Sequence, residues 1–301
     1  MSASKQQVVQ DKALDFFRRV LLKYEPKALT FIEAQKDLFT SPSNLAFYTS
    51  FSTLPQHIEH EKPVLSQSEL EEAASMRKNL DLSHWFPSQI ARVYLILLLA
   101  KHKPDAFQSI MDNLIGAADV VELIALYQAF PLFPNPEQFL LHGTNGIRCN
   151  MISVFNAIAL NNPYPADYFN ETAFNQVVLK TLFVDSPIER VSGLKQRANV
   201  ALAQALLNTV RERFAAKRPI KPEIWFLIGL AADDKALKVL EEFLETDNPI
   251  LQQGALLACK QSKRPLAMEM QKRHAEQYKQ GDMPKNLKWA GQFESRLINQ
   301  N

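Results

Sequence analysis

The stretch LEEFLETDNPILQQGALLA, residues 240–258, shows the pattern that predicts the fold of this chain. Apolar residues recur at three- and four-residue steps on both sides of an Asp247–Pro249 turn, which is the periodicity of amphipathic helices. Asn248 is a residue type that often caps a helix, and Pro249 suits a first helical turn. The stretch therefore predicts two antiparallel helices joined by a turn, similar to a HEAT repeat unit.

Helix signals recur along the whole chain. Ser66 with Glu69, and Asp119 with Glu122, have the spacing of capping boxes that begin helices. No window sustains the two-residue alternation of a strand, and only 8 glycines are present for tight hairpins. We expect an all-α fold of at least a dozen helices, a multi-helical bundle with a HEAT-like α-solenoid at its C-terminal end.

Three parts are predicted along the chain. Residues 1–60 form an N-terminal helical layer, residues 61–232 the main helical body, and residues 233–301 the HEAT-like helices. The mixed polar stretch Leu54–Gln67 has the composition of a surface loop and marks the first boundary. Short links between amphipathic helices begin near the second boundary, and such links favour antiparallel stacking.

Composition and charge exclude several classes of protein. Hydrophobic residues make up 47% and charged residues 22% of the chain, as in an ordinary globular protein. The net charge of +2 gives no strong field to attract nucleic acid or an anionic membrane surface. No apolar stretch is long enough for a transmembrane helix, and no signal peptide is evident. The widely spaced Cys149 and Cys259 predict reduced thiols, and we expect a cytoplasmic protein.

Patterned polar residues in the region 143–226 predict a binding groove. Asn156 interrupts an apolar face of a predicted helix over about 145–160, which it shares with Asn145 and Cys149. Gln176 and Lys180 are four residues apart on the next predicted helix, about 172–184. Lys180 lies among apolar residues there, so we expect it to border buried surface.

Arginines complete the predicted groove. Arg197, Gln204 and Arg211 recur at seven-residue steps and predict one stripe on a single helix of about 195–217. The candidate ligand-binding residues are thus Asn156, Gln176, Lys180, Arg197 and Arg211. A purely structural interpretation stays open, in which the arginines pair with Glu171, Glu189 or Glu212. Asn161 and Asn162, before Pro163, are interpreted as turn or cap residues.

Motifs of known enzymes are lacking. The sequence contains no phosphate-binding loop, dinucleotide-binding fingerprint, HExxH, GxSxG or CxxC motif. We therefore assign no catalytic residue, metal ligand or cofactor. His57 and His60 are interpreted as part of a polar loop, because a metal site requires further ligands in a fixed geometry.

Four ordered motifs in residues 145–225 carry a family resemblance. They are AIALNNPYPADYF at 157–169, NQVVLK at 175–180, GLKQRAN at 193–199, and ERFAAKR at 212–218 followed by PEIW at 222–225. In these motifs the chain resembles the EboA family of metabolite traffic proteins. The resemblance implies a bacterial operon that also encodes a prenyltransferase-like membrane protein and sugar-phosphate-cyclase-like and TIM-barrel enzymes. It further implies an association with moving or processing secondary-metabolite precursors.

The resemblance and the residues together favour one function and leave two alternatives. The favoured function is a non-catalytic helical adaptor or small-molecule carrier for secondary-metabolite precursors, with a metabolite and proteins of the same operon as partners. One alternative is an enzyme with its active site in the 145–213 groove, using Lys180 as base or Schiff-base residue together with Arg197. The other is a HEAT-like nucleic-acid binder, which the near-neutral total charge disfavours.

Overall fold

Helices account for all the regular structure that the computed structural model describes, which covers residues 3–35 and 38–278. Within these ranges the chain forms seventeen α-helices joined by turns and short 3-10 helices, without a β-strand. The predicted all-α class is confirmed. None of the described helices combines the length and apolar character needed to cross a membrane.

The chain forms two compact units, Met1–Asn170 and Glu171–Asn301. The boundary between them falls inside the predicted main body of residues 61–232. The predicted boundaries at residues 60 and 232 therefore do not coincide with the boundary between the two compact units. That the three predicted parts fold separately stays a prediction.

Ten helices make up the described part of the first unit. They are α1 (Ala3–Tyr24), α2 (Pro26–Ala34), α3 (Leu45–Thr53), α4 (Gln67–Met76), α5 (Pro87–His102), α6 (Phe107–Ala117), α7 (Val120–Ala129), α8 (Leu140–Arg148), α9 (Ile152–Ala159) and α10 (Tyr164–Tyr168). The predicted capping boxes at Ser66 and Asp119 begin α4 and α7.

Helix α5 lies at the centre of the first unit. Residues 90–97 are buried on every side of this helix, as expected for a helix that is apolar nearly all round. Helices α1 and α7 pack against it. The side-chain amide of Gln6 on α1 also donates to the carbonyls of Pro131 and Phe133, at 3.1 and 2.6 Å. These bonds fix α1 to the segment after α7.

Seven helices make up the described part of the second unit. They are α11 (Glu171–Phe183), α12 (Leu194–Arg197), α13 (Val200–Ala215), α14 (Pro222–Ala231), α15 (Asp234–Leu244), α16 (Pro249–Gln261) and α17 (Pro265–Tyr278). Helix α14 packs against α13 and α16. Its approach to α16 requires glycine, because a Cβ at Gly229 would lie 2.2 Å from the carbonyl oxygen of Ala258.

The turn predicted at Asp247–Pro249 is confirmed. Helix α15 ends at Leu244 and α16 begins at Pro249. The side-chain oxygen of Asn248 accepts the backbone N–H groups of Ile250 and Leu251, at 3.0 and 3.3 Å, which is an N-cap. The two helices pack against each other. A HEAT-like repeat array remains a prediction, since α15–α17 do not establish a repeat, and its continuation to residue 301 lies outside the described residues.

Two helices that were predicted to be continuous are each broken in two. Residues 145–160 contain the end of α8 at Arg148 and the start of α9 at Ile152, with extended backbone at Cys149 and Met151. The expected shared face of Asn145, Cys149 and Asn156 is therefore wrong. The extended backbone at Cys149 and Met151 turns the chain between the two helices. Near the end of α8 the chain packs closely, since a Cβ at Gly146 would lie 2.8 Å from the Tyr127 ring.

The second break separates α12 from α13. Ala198 is extended, and the side chain of Asn199 accepts the N–H of Leu202 at 2.8 Å, so a new helix begins at Val200. An asparagine that caps the next helix competes with continuation of the preceding one. The predicted single stripe of Arg197, Gln204 and Arg211 on one helix is therefore wrong.

Candidate functional site

The five predicted ligand-binding residues are distributed over both units. Asn156 lies on α9 of the first unit and is half-buried. The other four belong to the second unit: Gln176 and Lys180 lie on α11, Arg197 ends α12, and Arg211 lies on α13. A groove formed by all five would draw on side chains of both units, and it stays a prediction.

Arg197 is held against an aromatic ring. Its guanidinium carbon lies 4.9 Å from the ring centroid of Phe174, and the arginine is half-buried. The short helix α12 begins at Gly193, whose φ of 78° is in the left-handed region that favours glycine. The N–H of Arg197 donates to the carbonyl of Gly193 at 2.9 Å. Backbone and ring together therefore fix where this cation lies.

A reciprocal amide pair lies next to Arg197. Asn175 and Asn199 each donate from Nδ2 to the other's Oδ1, at 3.1 and 2.8 Å. Asn199 also donates to the carbonyl of Arg197 at 3.0 Å. The pair joins α11 to the start of α13 and holds the end of α12 beside them. Sequence analysis did not select these two residues, because no local pattern links positions 24 residues apart.

The two predicted binding residues of α11, Gln176 and Lys180, lie on another face of the helix. At about 100° per residue, Gln176 and Lys180 lie roughly 200° and 240° around the helix from Phe174. Gln176 is exposed and Lys180 is half-buried. Arg197 and the Gln176–Lys180 pair therefore occupy different faces of α11.

Arg211 lies towards the other end of α13. It is exposed, and its guanidinium lies 3.6 Å from the carboxylate of Glu242 and 6.0 Å from the ring centroid of Phe243. At about 1.5 Å per residue, Arg211 is roughly 16 Å along the helix from Val200. The acidic partner is on α15, whereas sequence analysis had considered Glu171, Glu189 and Glu212.

The motif at 157–169 has a structural role in the first unit. Asn162 is only 3% exposed, and its Nδ2 donates to the carbonyls of Tyr127 and Ala157, each at 3.0 Å. Its Oδ1 accepts the N–H of Tyr164 at 2.9 Å. Asn161 has a φ of 54°, a left-handed conformation that asparagine tolerates. The interpretation of these asparagines as turn residues is confirmed.

Tyr164 completes this structural arrangement. Its ring is fully buried, and its hydroxyl donates to the carbonyl of Pro136 at 2.8 Å. Burial, with smaller contributions from Tyr168 and Glu137, raises the pKa of the phenol far above its ordinary value. A Cβ at Gly143 would lie 2.9 Å from the Tyr164 ring. These residues therefore serve the packing of α8 against α10.

The histidines of the polar loop contact α2 and the residue before it. The ring of His57 stacks on Phe31 with centroids 3.8 Å apart. The buried carboxylate of Glu25 accepts the backbone N–H groups of Glu59 and His60, at 2.7 and 3.0 Å, and lies 2.9 Å from Nδ1 of His60. Nowhere in the described ranges do three or more His, Cys, Asp or Glu residues come together as a metal-binding group.

Comparisons with known proteins give one match. The model of the family described as "Metabolite traffic protein EboA" matches residues 15–229, more than half of the chain and parts of both units. No curated protein and no solved structure matches the chain significantly. The chain belongs to the EboA family.

Proposed function

We propose that this protein is a non-catalytic carrier or adaptor for an anionic small molecule in secondary-metabolite precursor handling. The family's description as a metabolite traffic protein supports the general role. The bound partner would be the metabolite, and proteins of the same operon would deliver or receive it.

The arrangement around Arg197 is the observation that carries the proposal. Its guanidinium stacks on Phe174 at 4.9 Å, and its carbonyl is bonded to the Asn175–Asn199 pair through Asn199. A planar guanidinium presents donors in a fork that matches a carboxylate or a phosphate. Fixing such a fork before the ligand arrives reduces the entropy that binding must lose. An anionic metabolite is therefore the ligand class that we propose for Arg197.

The other predicted residues are proposed to contribute to the same ligand to different degrees. Lys180 and Gln176 lie roughly 200–240° around α11 from Phe174, so they would contribute only to a ligand large enough to extend from Arg197 around the helix. Arg211, which pairs with Glu242, is proposed to contribute from α13. Asn156 is the only one of the five predicted binding residues that lies in the first unit. The variant Asn156→Ala therefore tests whether the first unit contributes to ligand binding.

The enzyme alternative gains no support from Lys180. A lysine that acts as a base or forms a Schiff base near neutral pH requires strong desolvation of its amine. Lys180 is half-buried, and this degree of burial does not single out the enzyme alternative.

Thermal unfolding in the presence of metabolite extracts tests the proposal. A ligand at about 100 times its dissociation constant stabilises the folded state by about 2.7 kcal/mol. An anionic fraction of the extract should therefore raise the Tm of the wild type but not that of Arg197→Gln. Arg264→Gln provides the matched control, since Arg264 makes an exposed ion pair with Asp234 at 3.0 Å in the same unit. If the extract raised the Tm of Arg197→Gln as much as that of Arg264→Gln, the role of Arg197 would be contradicted.

The same assay separates a binding role of Asn156 from a structural one. If Asn156 contributes only to folding, Asn156→Ala lowers the Tm equally with and without the extract. If it contacts the ligand, the variant loses most of the shift that the extract gives the wild type. The outcome shows whether the first unit takes part in the site.

A further inference from the structure

Three segments of the second unit meet where α11 and α13 end and α14 begins. Asp185, two residues after α11, pairs with Lys221, the residue before α14. Nε of Arg213, in the last turn of α13, donates to the carbonyl of Pro219 at 2.7 Å. The C-terminal ends of two helices and the loop at 216–221 therefore lie together. We call this surface the basic edge and define it by residues 183, 213, 214, 217, 218 and 221.

Positive charge is concentrated in the segment that forms this edge. Residues 211–221 contain five basic residues and one acidic residue, which gives 5 − 1 = +4, in a chain whose total charge is +2. Arg211 and Lys221 are paired with carboxylates. Lys217 and Arg218 are exposed, and neither side chain has an ion pair among the residues that the structure describes. With the paired carboxylates Asp185 and Glu242 counted, the net charge is 5 − 3 = +2, and Lys217 and Arg218 carry this positive charge at the basic edge.

Two phenylalanines at this edge are exposed. Phe183, the last residue of α11, is 80% exposed, and Phe214 beside Arg213 is 40% exposed. A single exposed apolar residue is common on protein surfaces. Two aromatic residues that accompany a cluster of unpaired cations form a combination typical of surfaces that lie at a membrane interface.

Helix-end electrostatics explains only part of this pattern. Basic residues are favoured near helix C-termini because they complement the partial negative charge there. That argument accounts for Arg213, which bonds a carbonyl beyond the end of α13. It does not account for the exposure of Phe183, whose burial would otherwise be favourable.

We propose that the basic edge docks the protein reversibly on an anionic bilayer surface. Lys217 and Arg218 would lie against the lipid headgroups, and the rings of Phe183 and Phe214 would enter the interfacial layer. An acidic protein partner is the less favoured occupant, because Lys217 and Arg218 make no side-chain ion pairs that fix them in one orientation. A lipid surface requires no fixed geometry. Docking is separate from the proposed ligand site and would hold whether or not a metabolite binds.

Sedimentation with vesicles tests the proposal on the full chain. The protein should bind vesicles of phosphatidylglycerol and phosphatidylcholine in equal amounts more strongly than vesicles of phosphatidylcholine alone. Added salt should weaken that binding, because it screens exposed charges. Binding that is absent, or equal for both compositions, would overturn the proposal and leave a protein partner as the occupant.

The variants identify the surface that binds. Lys217 has a φ of 53°, so Lys217→Gly removes a charge while relaxing the backbone, and we expect this variant to be as stable as the wild type. We expect Lys217→Gly or Arg218→Gln to lower the partition coefficient about five-fold each. We expect Phe183→Ser to lower it about ten-fold, because the ring loses its apolar contact with the lipid.

The matched control is Lys12→Gln, the same loss of charge at an exposed position of α1. This variant should bind vesicles as the wild type does. The proposal is overturned if Lys12→Gln weakens binding as much as Lys217→Gly does, since total charge would then be the cause. It is also overturned if Phe183→Ser binds like the wild type, since the aromatic part of the edge would then not contact the lipid.

Discussion

Replacing Gly254 with alanine tests how far Trp225, the last residue of the motif at 222–225, stabilises the packing of α14 against α16 in the second unit. Trp225 is 2% exposed on α14. A Cβ at Gly254 on α16 would lie 2.0, 2.4 and 2.5 Å from three atoms of the Trp225 indole. Carbon atoms in contact are usually about 3.5 Å apart, so the ring or the helix must move by roughly 1.5 Å. The indole packs edge-on against Phe243 with centroids 5.9 Å apart, which limits its movement.

The expected cost follows from two opposing effects. Overpacking a core typically costs about 1–3 kcal/mol, whereas glycine to alanine inside a helix gains about 1 kcal/mol. Because the clash is with a rigid, buried ring, we expect Gly254→Ala to lose about 2 kcal/mol of unfolding free energy. Gly116→Ala on α6 is the matched control, since nothing lies within 4 Å of a Cβ there. It should be neutral or gain up to about 1 kcal/mol.

Urea unfolding followed by circular dichroism measures both variants. Trp225→Leu alone should be destabilised, but combined with Gly254→Ala it should cost less than the sum of the single changes, because the smaller side chain relieves the clash. The reasoning would be refuted if Gly254→Ala proved as stable as Gly116→Ala, or if the two changes were additive.

Three further predictions concern stability and reactivity. Asn162→Ala should cost about 1–3 kcal/mol in thermal unfolding, because it leaves two buried carbonyls without their donor, whereas Asn161→Gly, at a φ of 54°, should be neutral or stabilising. Burial opposes ionisation of Glu69, but hydrogen bonds at the start of α4 lower its pKa to about 2 from 4.5. The unfolded chain therefore takes up this proton first as the pH falls, so stability should drop between about pH 5 and pH 2. Glu69→Gln should show a smaller drop in denaturant unfolding over that range, and an equal drop would contradict the assignment. Burial, with a smaller contribution from a nearby carboxylate, raises the pKa of Cys259 to about 12. Iodoacetamide should consequently label Cys149 but not Cys259 in the native protein, as mass spectrometry of the intact chain can show.

Local signals in the sequence were sufficient to predict the fold class and several helix boundaries. The capping boxes at Ser66 and Asp119, and the turn at Asn248, depend on residues within three or four positions of each other. The breaks at 149–151 and 198–199 were missed because apolar periodicity continues across them. The Asn199 cap is a signal of the same short range, since it accepts the N–H of Leu202, and it could have predicted the second break.

The candidate site was predictable only in part. Arg197 was identified from its seven-residue spacing with Gln204 and Arg211. The structure places it on a different helix from them, and it lies against Phe174 of α11. Its ring partner Phe174 and the Asn175–Asn199 pair depend on tertiary contacts between separate helices. Helical spacing placed Gln176 and Lys180 together correctly, but it could not show that Arg197 lies on another face of α11.

The central claim is that this EboA family protein carries an anionic small molecule anchored by Arg197. The most direct test is mass spectrometry of small molecules released by denaturing the protein after its purification from the organism that encodes it. The wild type, Arg197→Gln and the control Arg264→Gln would be compared at equal protein concentration. The account predicts one anionic compound in amounts close to those of the protein for the wild type and Arg264→Gln, and its loss from Arg197→Gln. The same compound retained by Arg197→Gln, or no compound released from the wild type, would contradict it.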